Sequence, residues 1–226
     1  MSHNSGKLYV VATPIGNLGD ISARATAILR EVDVVLCEDT RVSGKLLSAL
    51  AIRKPMMSYH EHSDARRTHE VVTEMLEGKT MALVTDAGTP GVNDPGGVLV
   101  AAAAKVGIDI IPVPGPNATV TALSICGFPA DRYTFVGFPP NKKGRETFFR
   151  ELGGVEHTLV MFESTHRIVK TLEQLKQLNR PVVVCRELTK LHETIYRGSV
   201  QDVLDRLEQT STKGEFVIVV APKDWK

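Results

Sequence analysis

Five short clusters hold the residues that could do chemistry. CEDTR (37–41) sets Glu38, Asp39 and Arg41 after an apolar run, and SYHEHSD (58–64) offers His60, Glu61 and His62. PPNKKGR (139–145) gathers Lys142, Lys143 and Arg145 in a turn. FESTHR (162–167) carries Glu163, Ser164, His166 and Arg167, and CRELTK (185–190) carries Arg186, Glu187, Thr189 and Lys190. A positioned carboxylate or imidazole can take a proton. Clustered lysine and arginine can hold phosphate. The His-x-His spacing could ligate zinc along a strand, but no third ligand is evident, so a neutral histidine donor or base is the better reading. Each cluster also has a plainer use. CEDTR can cap a helix and form a local ion pair. PPNKKGR can be a solvated basic turn, and His166 with Arg167 can start a helix. Arg186, Glu187 and Lys190 can form an ion network that only braces the fold.

Three loops differ in kind. TPIGNLGD (13–20), DAGTPGVNDPG (86–96) and PGPNA (114–118) are built from glycine, proline and small polar residues. Glycine lets a ligand reach backbone N–H and C=O groups with no Cβ in the way. Proline removes entropy that binding would otherwise have to remove. Together the three suit a preformed slot for a flat, polar-edged small molecule. A usual nucleotide cradle is not indicated: no GxGxxG follows the first strand and no GxxxxGK[ST] occurs. The carboxylates of Asp86 and Asp94 oppose polyphosphate and suit an amino group or ribose hydroxyls.

The elements that must position these groups follow from pattern. Buried strands are expected at 7–13, 34–39, 56–60, 80–86 and 109–115, with helices at 21–32 (capped by Asp20 or Ser22), 64–78 and 96–107. Short apolar strands alternating with helices indicate an α/β domain with a mostly parallel sheet over 1–116, its three loops at the carboxyl ends of strands. A helix at 117–127 leads into a hinge at FPADRY. Strands at 133–139, 157–164, 181–188, 193–199 and 215–221, with helices at 147–153, 165–178 and 200–210, give a second α/β domain with a mixed sheet over 117–226. YRG (196–198) suggests an antiparallel, hairpin-like strand.

Bulk composition narrows the class further. The chain has 226 residues, a formal net charge of +1 and only three cysteines, Cys37, Cys126 and Cys185. They are too few and too scattered for a disulfide scaffold or a thiolate zinc site. No signal peptide is evident, and no stretch approaches the ~20 apolar residues of a membrane span. A local basic patch, not total charge, decides any nucleic-acid role.

In order, ATPIGNLGDIS, LCEDTR, YHEH, VTDAGTPGVNDPG, VPGPNA, GFPPNKKGR, ESTHR and CRELTKLHE resemble the 2′-O-ribose methyltransferases of small-subunit ribosomal RNA, within the tetrapyrrole-methylase superfamily. The resemblance spans about residues 7–221. It implies two α/β domains with a cofactor cleft between them and S-adenosylmethionine as methyl donor. The acceptor it implies is a cytidine 2′-hydroxyl in the decoding region of small-subunit rRNA. It further implies a cytoplasmic homodimer; from the residues themselves no metal is expected. The donor would be lined by Pro14 and Gly16, by Asp86, Ala87, Gly88, Thr89 and Val92, by Asn117 and Ala118, and by backbone near Phe162. Glu187, Lys190, Asp39 and His60 are the candidates to activate the hydroxyl, and nothing in the sequence separates them. Arg41, Lys142, Lys143, Arg145, Arg167 and Arg186 would contact RNA. Two departures stand out. A further small C-terminal domain usual in the family has no counterpart here, and ESTHR replaces the usual ESPHR, with Thr165 expected to keep a polar helix start. The rivals are a tetrapyrrole or diphthamide methylase of the same fold and a non-catalytic RNA-binding module.

Overall fold

Five parallel strands form the first sheet of the computed structural model, which describes residues 5–60, 63 and 65–225. They are β1 (Lys7–Val11), β2 (Val34–Cys37), β3 (Met56–Ser58), β4 (Met81–Leu83) and β5 (Asp109–Val113), in the order β3-β2-β4-β1-β5. Their side chains alternate between two cores because successive Cβ atoms leave opposite faces. Leu8, Leu36, Met81 and Leu83 meet α3 (Ala65–Leu76) and α4 (Gly97–Lys105) on one face. Val35, Ala82 and Val84 meet α1 (Ala23–Glu31) and α2 (Thr40–Ala49) on the other. The chain leaves β1 toward β2 and leaves β4 in the opposite direction toward β5. The edge between β1 and β4 is therefore the point where the winding reverses, the place where open α/β sheets bind ligands.

Ser22, not Asp20, caps α1, its hydroxyl accepting from the Ala25 N–H at 3.0 Å. Helix α2 has no counterpart among the elements expected from pattern. It is short, carries serine and glycine inside, and buries only Ser43 and Leu47, so propensity and periodicity are both weak. Asp39 starts it as the N-cap, accepting from the Arg41 N–H at 2.8 Å.

The chain divides into two compact units, Met1–Asn117 and Ala118–Lys226. The second unit has its own mixed sheet, ordered β6-β7-β10-β8-β9. Its strands are β6 (Tyr133–Phe135), β7 (Thr158–Ser164), β8 (Val182–Arg186), β9 (Thr194–Gly198) and β10 (Glu215–Val220). Only β6 and β7 are parallel; the YRG strand pairs antiparallel with β8, as its sequence suggests. Helices α6 (Arg145–Leu152), α7 (Ile168–Leu175) and α8 (Val200–Gln209) cover one face. Helix α5 (Ala118–Cys126) packs on β10 and β7.

Arg145 corrects an expectation. The sequence puts it in an exposed basic turn beside phosphate, but it opens α6 facing inward and is only 4% exposed. Its Nε donates to Gln174 at 2.6 Å, Nη1 to the Pro140 carbonyl at 2.9 Å and Nη2 to the Thr171 hydroxyl at 2.6 Å. The Thr171 hydroxyl in turn donates to the buried carboxylate of Glu163. A basic residue opening a helix reads as solvated in sequence; only its inward face reveals the buried acid it serves. Removing one member of such a network strands the others without water. Arg145→Met is therefore expected to destabilise the chain by about 3 kcal/mol in urea unfolding, while Lys142→Met stays within about 0.5 kcal/mol.

Candidate active site

Three loops meet at the carboxyl edge of the first sheet, and hydrogen bonds stitch them together. The Thr13 N–H donates to the Gly88 carbonyl at 2.9 Å, and the Gly88 N–H returns to the Thr13 carbonyl at 3.2 Å. The buried Thr13 hydroxyl donates to the Thr85 carbonyl at 3.1 Å. Thr89 reaches across to the third loop, its hydroxyl donating to the Pro116 carbonyl at 3.1 Å. Gly88 has φ +89°, and a Cβ there would meet Ile15 only at an ordinary 3.5 Å. Its glycine is thus required by backbone conformation more than by crowding. The loop carrying Pro14 and Gly16, the loop carrying Asp86, Ala87, Gly88, Thr89 and Val92, and the turn that ends at Asn117 and Ala118 border one edge. Pattern did not single out Thr13, which does much of the stitching.

Four acids lie beside this edge. The Asp86 carboxylate accepts from the Asp39 N–H at 3.2 Å; burial, helped by the charge of Asp39, pushes its pKa up. Asp94 is pushed up to about 6, by burial first and then by Glu38 and Asp86. Asp39 goes the other way. The Arg41 guanidinium, donating at 2.6 Å, and the Arg41 N–H hold it at about 2. A carboxylate held so low is a weak general base at neutral pH; Asp39 caps α2 and pairs with Arg41, the plainer use. His60 is exposed and shares a turn with Ser63, whose hydroxyl accepts from its N–H at 2.9 Å. Glu61 and His62 lie outside the described residues.

In the second unit the segment after β8 is held from many sides. Glu187 and Thr189 adopt left-handed φ of 52° and 67°, which non-glycine residues keep only under constraint. Burial pushes the Glu187 carboxyl up, but the Glu215 N–H at 2.8 Å and the Lys190 ammonium at 3.1 Å outweigh it, and its pKa is lowered. Lys190 also donates to the Glu215 carboxylate at 2.7 Å. Burial opposes its charge, yet the two carboxylates raise its pKa and keep it protonated. Arg186 adds its charge to this network, which also lowers Glu187, but hydrogen-bonds elsewhere. It donates to the Lys213 carbonyl at 2.6 Å and the His192 carbonyl at 3.1 Å, so two of its donors are not free for phosphate.

Lys142 and Lys143 are exposed at a turn before α6. Arg167 is half-buried; it donates to the Pro139 carbonyl, and its Nε lies 3.3 Å from the Glu163 carboxylate. Its expected RNA contact is corrected to a brace for that turn. Phe162 donates its N–H to the Gly137 carbonyl at 3.0 Å, so a ligand cannot use that donor. Helix α7 begins at Ile168, so Thr165 does not start it; its hydroxyl accepts from the Gly214 N–H at 2.7 Å and donates to the Gly214 carbonyl at 2.9 Å. Among the described residues no group of three or more histidine, cysteine or acidic side chains could hold a metal. No helix among them is long and apolar enough to cross a membrane.

A parallel α/β unit with backbone-rich loops at its reversal point, joined to a second unit with a mixed sheet, defines a class, and comparison agrees with it. The family model of tetrapyrrole (corrin/porphyrin) methylases matches residues 7–204. Solved structures share the fold. Diphthine synthase aligns with a TM-score of 0.74 at 12% identity, over 96% of this chain and 90% of that one. A uroporphyrin-III-C-methyltransferase from Thermus thermophilus aligns at 0.65 and 22%, over 96% and 95%. Closer in sequence is Ribosomal RNA small subunit methyltransferase I of Synechocystis sp., 43% identical over 220 residues, 96% of this chain and 79% of that protein. The protein of the same name from Thermotoga maritima is 40% identical over 221 residues, 97% of this chain and all of that protein. The chain belongs to the ribosomal RNA small subunit methyltransferase I family of the tetrapyrrole methylases.

The titration of Asp94 gives a direct check on this edge. Folded, it keeps its proton up to about pH 6; its ordinary value is 3.8. Between those values the folded chain binds more protons than the unfolded one, so stability falls as pH rises through the window and the deficit persists above it. Asp94→Asn is expected to melt above the parent at about pH 7.5, with the gain vanishing near pH 3.5. A gain of equal size at both ends in thermal scans would show that Asp94 does not titrate in this way.

Proposed function

We propose that this chain transfers a methyl group from S-adenosylmethionine to the ribose 2′-hydroxyl of a cytidine in the decoding region of small-subunit ribosomal RNA. One observation carries the reading: three glycine- and proline-rich loops stitched by Thr13, Gly88 and Thr89 at the reversal point of a parallel sheet, in a chain of this family. The residues present suit the donor. Gly91, at φ +81° with nothing within 4 Å of where a Cβ would stand, leaves main chain open to a ligand, while Gly88, whose N–H and C=O are both paired with Thr13, holds the loop in shape. Asp86 and Asp94 suit its hydroxyls and positive charge. When bound, S-adenosylmethionine supplies an electrophilic methyl group on a sulfonium.

The protein's own share is mainly orientation, because displacement at a methyl carbon demands an in-line approach. The rigid loops hold one reactant without an ordering cost. Lys142 and Lys143 are assigned to RNA phosphates. Asp39, Glu187, His60 and Lys190 all stay candidates for the hydroxyl, with Asp39 and Glu187 the weaker bases because their partners favour the ionised form. Lys190 stays charged and is assigned to the developing negative charge on oxygen. A homodimer is part of this proposal. Helix α4 is apolar all round, and such helices are normally covered, yet Val98 on its outer side is 69% exposed and Ala101 and Ala104 are exposed with it.

The activity is tested by tritiated-methyl transfer onto isolated small subunits and onto naked rRNA, with ribose 2′-O-methylcytidine as the expected product. Absence of transfer to either by protein that binds the donor would leave a non-catalytic RNA-binding module. Lys190→Met should lower the single-turnover rate about tenfold or more with donor and RNA affinities near wild type, the mark of a contact made in the transition state. A lower melting temperature with an unchanged rate per bound complex would make Lys190 a brace alone. In light scattering, Val98→Arg is expected to convert a dimer to a monomer.

A further inference from the structure

Phe138 is an exposed aromatic in a chain where aromatics are only 5% of residues. It is 48% exposed, and its ring stands edge-on to Phe162 with centroids 5.6 Å apart, while Phe162 stands edge-on to Phe135 at 4.9 Å. The backbone around it is fixed on both sides. Gly137 turns the chain out of β6 with φ +62°, and its carbonyl accepts from the Phe162 N–H at 3.0 Å. The next two carbonyls, of Pro139 and Pro140, accept from Arg167 and Arg145. Both prolines have fixed φ. The two arginines are themselves anchored around the buried Glu163: Arg167 pairs with its carboxylate, and Arg145 reaches it through Thr171. A solvated turn needs no such foundation. Here two guanidinium groups, a buried carboxylate and two prolines hold one half-exposed ring in place.

Four residues on stand Lys142 and Lys143, both exposed, with no ion pair found for either among the described residues. An aromatic face beside unneutralised cations is the combination that binds single-stranded nucleic acid: a base stacks on the ring and the cations take the phosphates. We propose that Phe138 is a stacking platform for an unpaired base of the RNA substrate, with Lys142 and Lys143 on the adjoining phosphates and the Glu163 network as its rigid base. The proposal rests on the methyltransferase reading above. It adds a residue that binds substrate through its ring and so ranks bases by stacking. A ring already held in place loses little freedom on binding, so more of the stacking energy appears as affinity.

The test is fluorescence anisotropy with a labelled single-stranded oligocytidylate, run alongside calorimetry with S-adenosylmethionine and methyl transfer to small subunits. Phe138→Ala should weaken RNA binding about tenfold, the worth of one stacked base. The slope of log affinity against log salt should not change, since stacking releases no counterions. Phe138→Leu should be as weak as Phe138→Ala, and Phe138→Trp should bind like wild type. Lys142→Ala with Lys143→Ala should flatten the salt slope by about 1.4, for two phosphates on a single strand. On small subunits the Ala and Leu variants should raise KM with kcat nearly unchanged, and donor affinity should be constant throughout. The ring is half exposed, so all variants should melt close to wild type, and Phe138→Leu preserves the packing on Phe162 should the alanine variant not. Full affinity in Phe138→Leu would reduce the ring to an apolar contact and overturn the platform. Lost donor affinity in Phe138→Ala would give the ring to the donor instead. Wild-type protein that methylates small subunits while Phe138→Ala keeps wild-type KM would sink the platform alone; wild-type protein that neither binds nor methylates RNA would sink the methyltransferase reading with it.

Discussion

Two hydrogen bonds between Thr13 and Gly88 fix what the first unit can do. They join the loop after β1 to the loop after β4 where the sheet's winding reverses. A parallel sheet places strand ends there but leaves the loops free to point elsewhere. The paired backbone removes that freedom, and the Thr89 hydroxyl extends the stitch to Pro116. Every polar contact spent inside the cluster is a contact withheld from a ligand. Glycine at 91 offsets this by leaving open space where a side chain would otherwise stand.

The second unit depends on a different constraint, a buried carboxylate. Glu163 is 1% exposed and would be costly without partners. Ser164, Arg167 and, through Thr171, Arg145 satisfy it. The same arginines reach back to the Pro139 and Pro140 carbonyls. One buried charge thereby sets the position of an exposed turn, and the desolvation of Glu163 is linked to the geometry of Phe138, Lys142 and Lys143. The stability of the core and the shape of this turn are coupled here through hydrogen bonds to backbone.

Electrostatics sorts the acids into two groups. Asp39 and Glu187 are held ionised by arginine, lysine and backbone donors. Asp86 and Asp94 are raised by burial first, Asp86 also by the charge of Asp39 and Asp94 by those of Glu38 and Asp86. The first pair already have their partners within the chain. The second pair would gain from a ligand that brings positive charge or hydroxyl donors to the same edge, which is the character of the proposed donor.

The sequence alone determined the α/β class, the two mixed and parallel sheets, the three backbone-rich loops and the family, because periodicity and glycine–proline density are local signals. It did not reveal α2, whose burial rests on Ser43 and Leu47, nor Thr13, whose role lies in pairing with a residue 75 positions away. The five charged clusters were legible as clusters but not as roles. Arg145, Arg167 and Glu187 read the same in a string of letters whether they face water or an interior partner. Which way each points was decided only by tertiary structure: Glu163 is buried by the sheet, and the cost of leaving it unpaired draws Arg145 and Arg167 inward. What stays outside is Phe138 with Lys142 and Lys143, whose exposure is set by the same buried network.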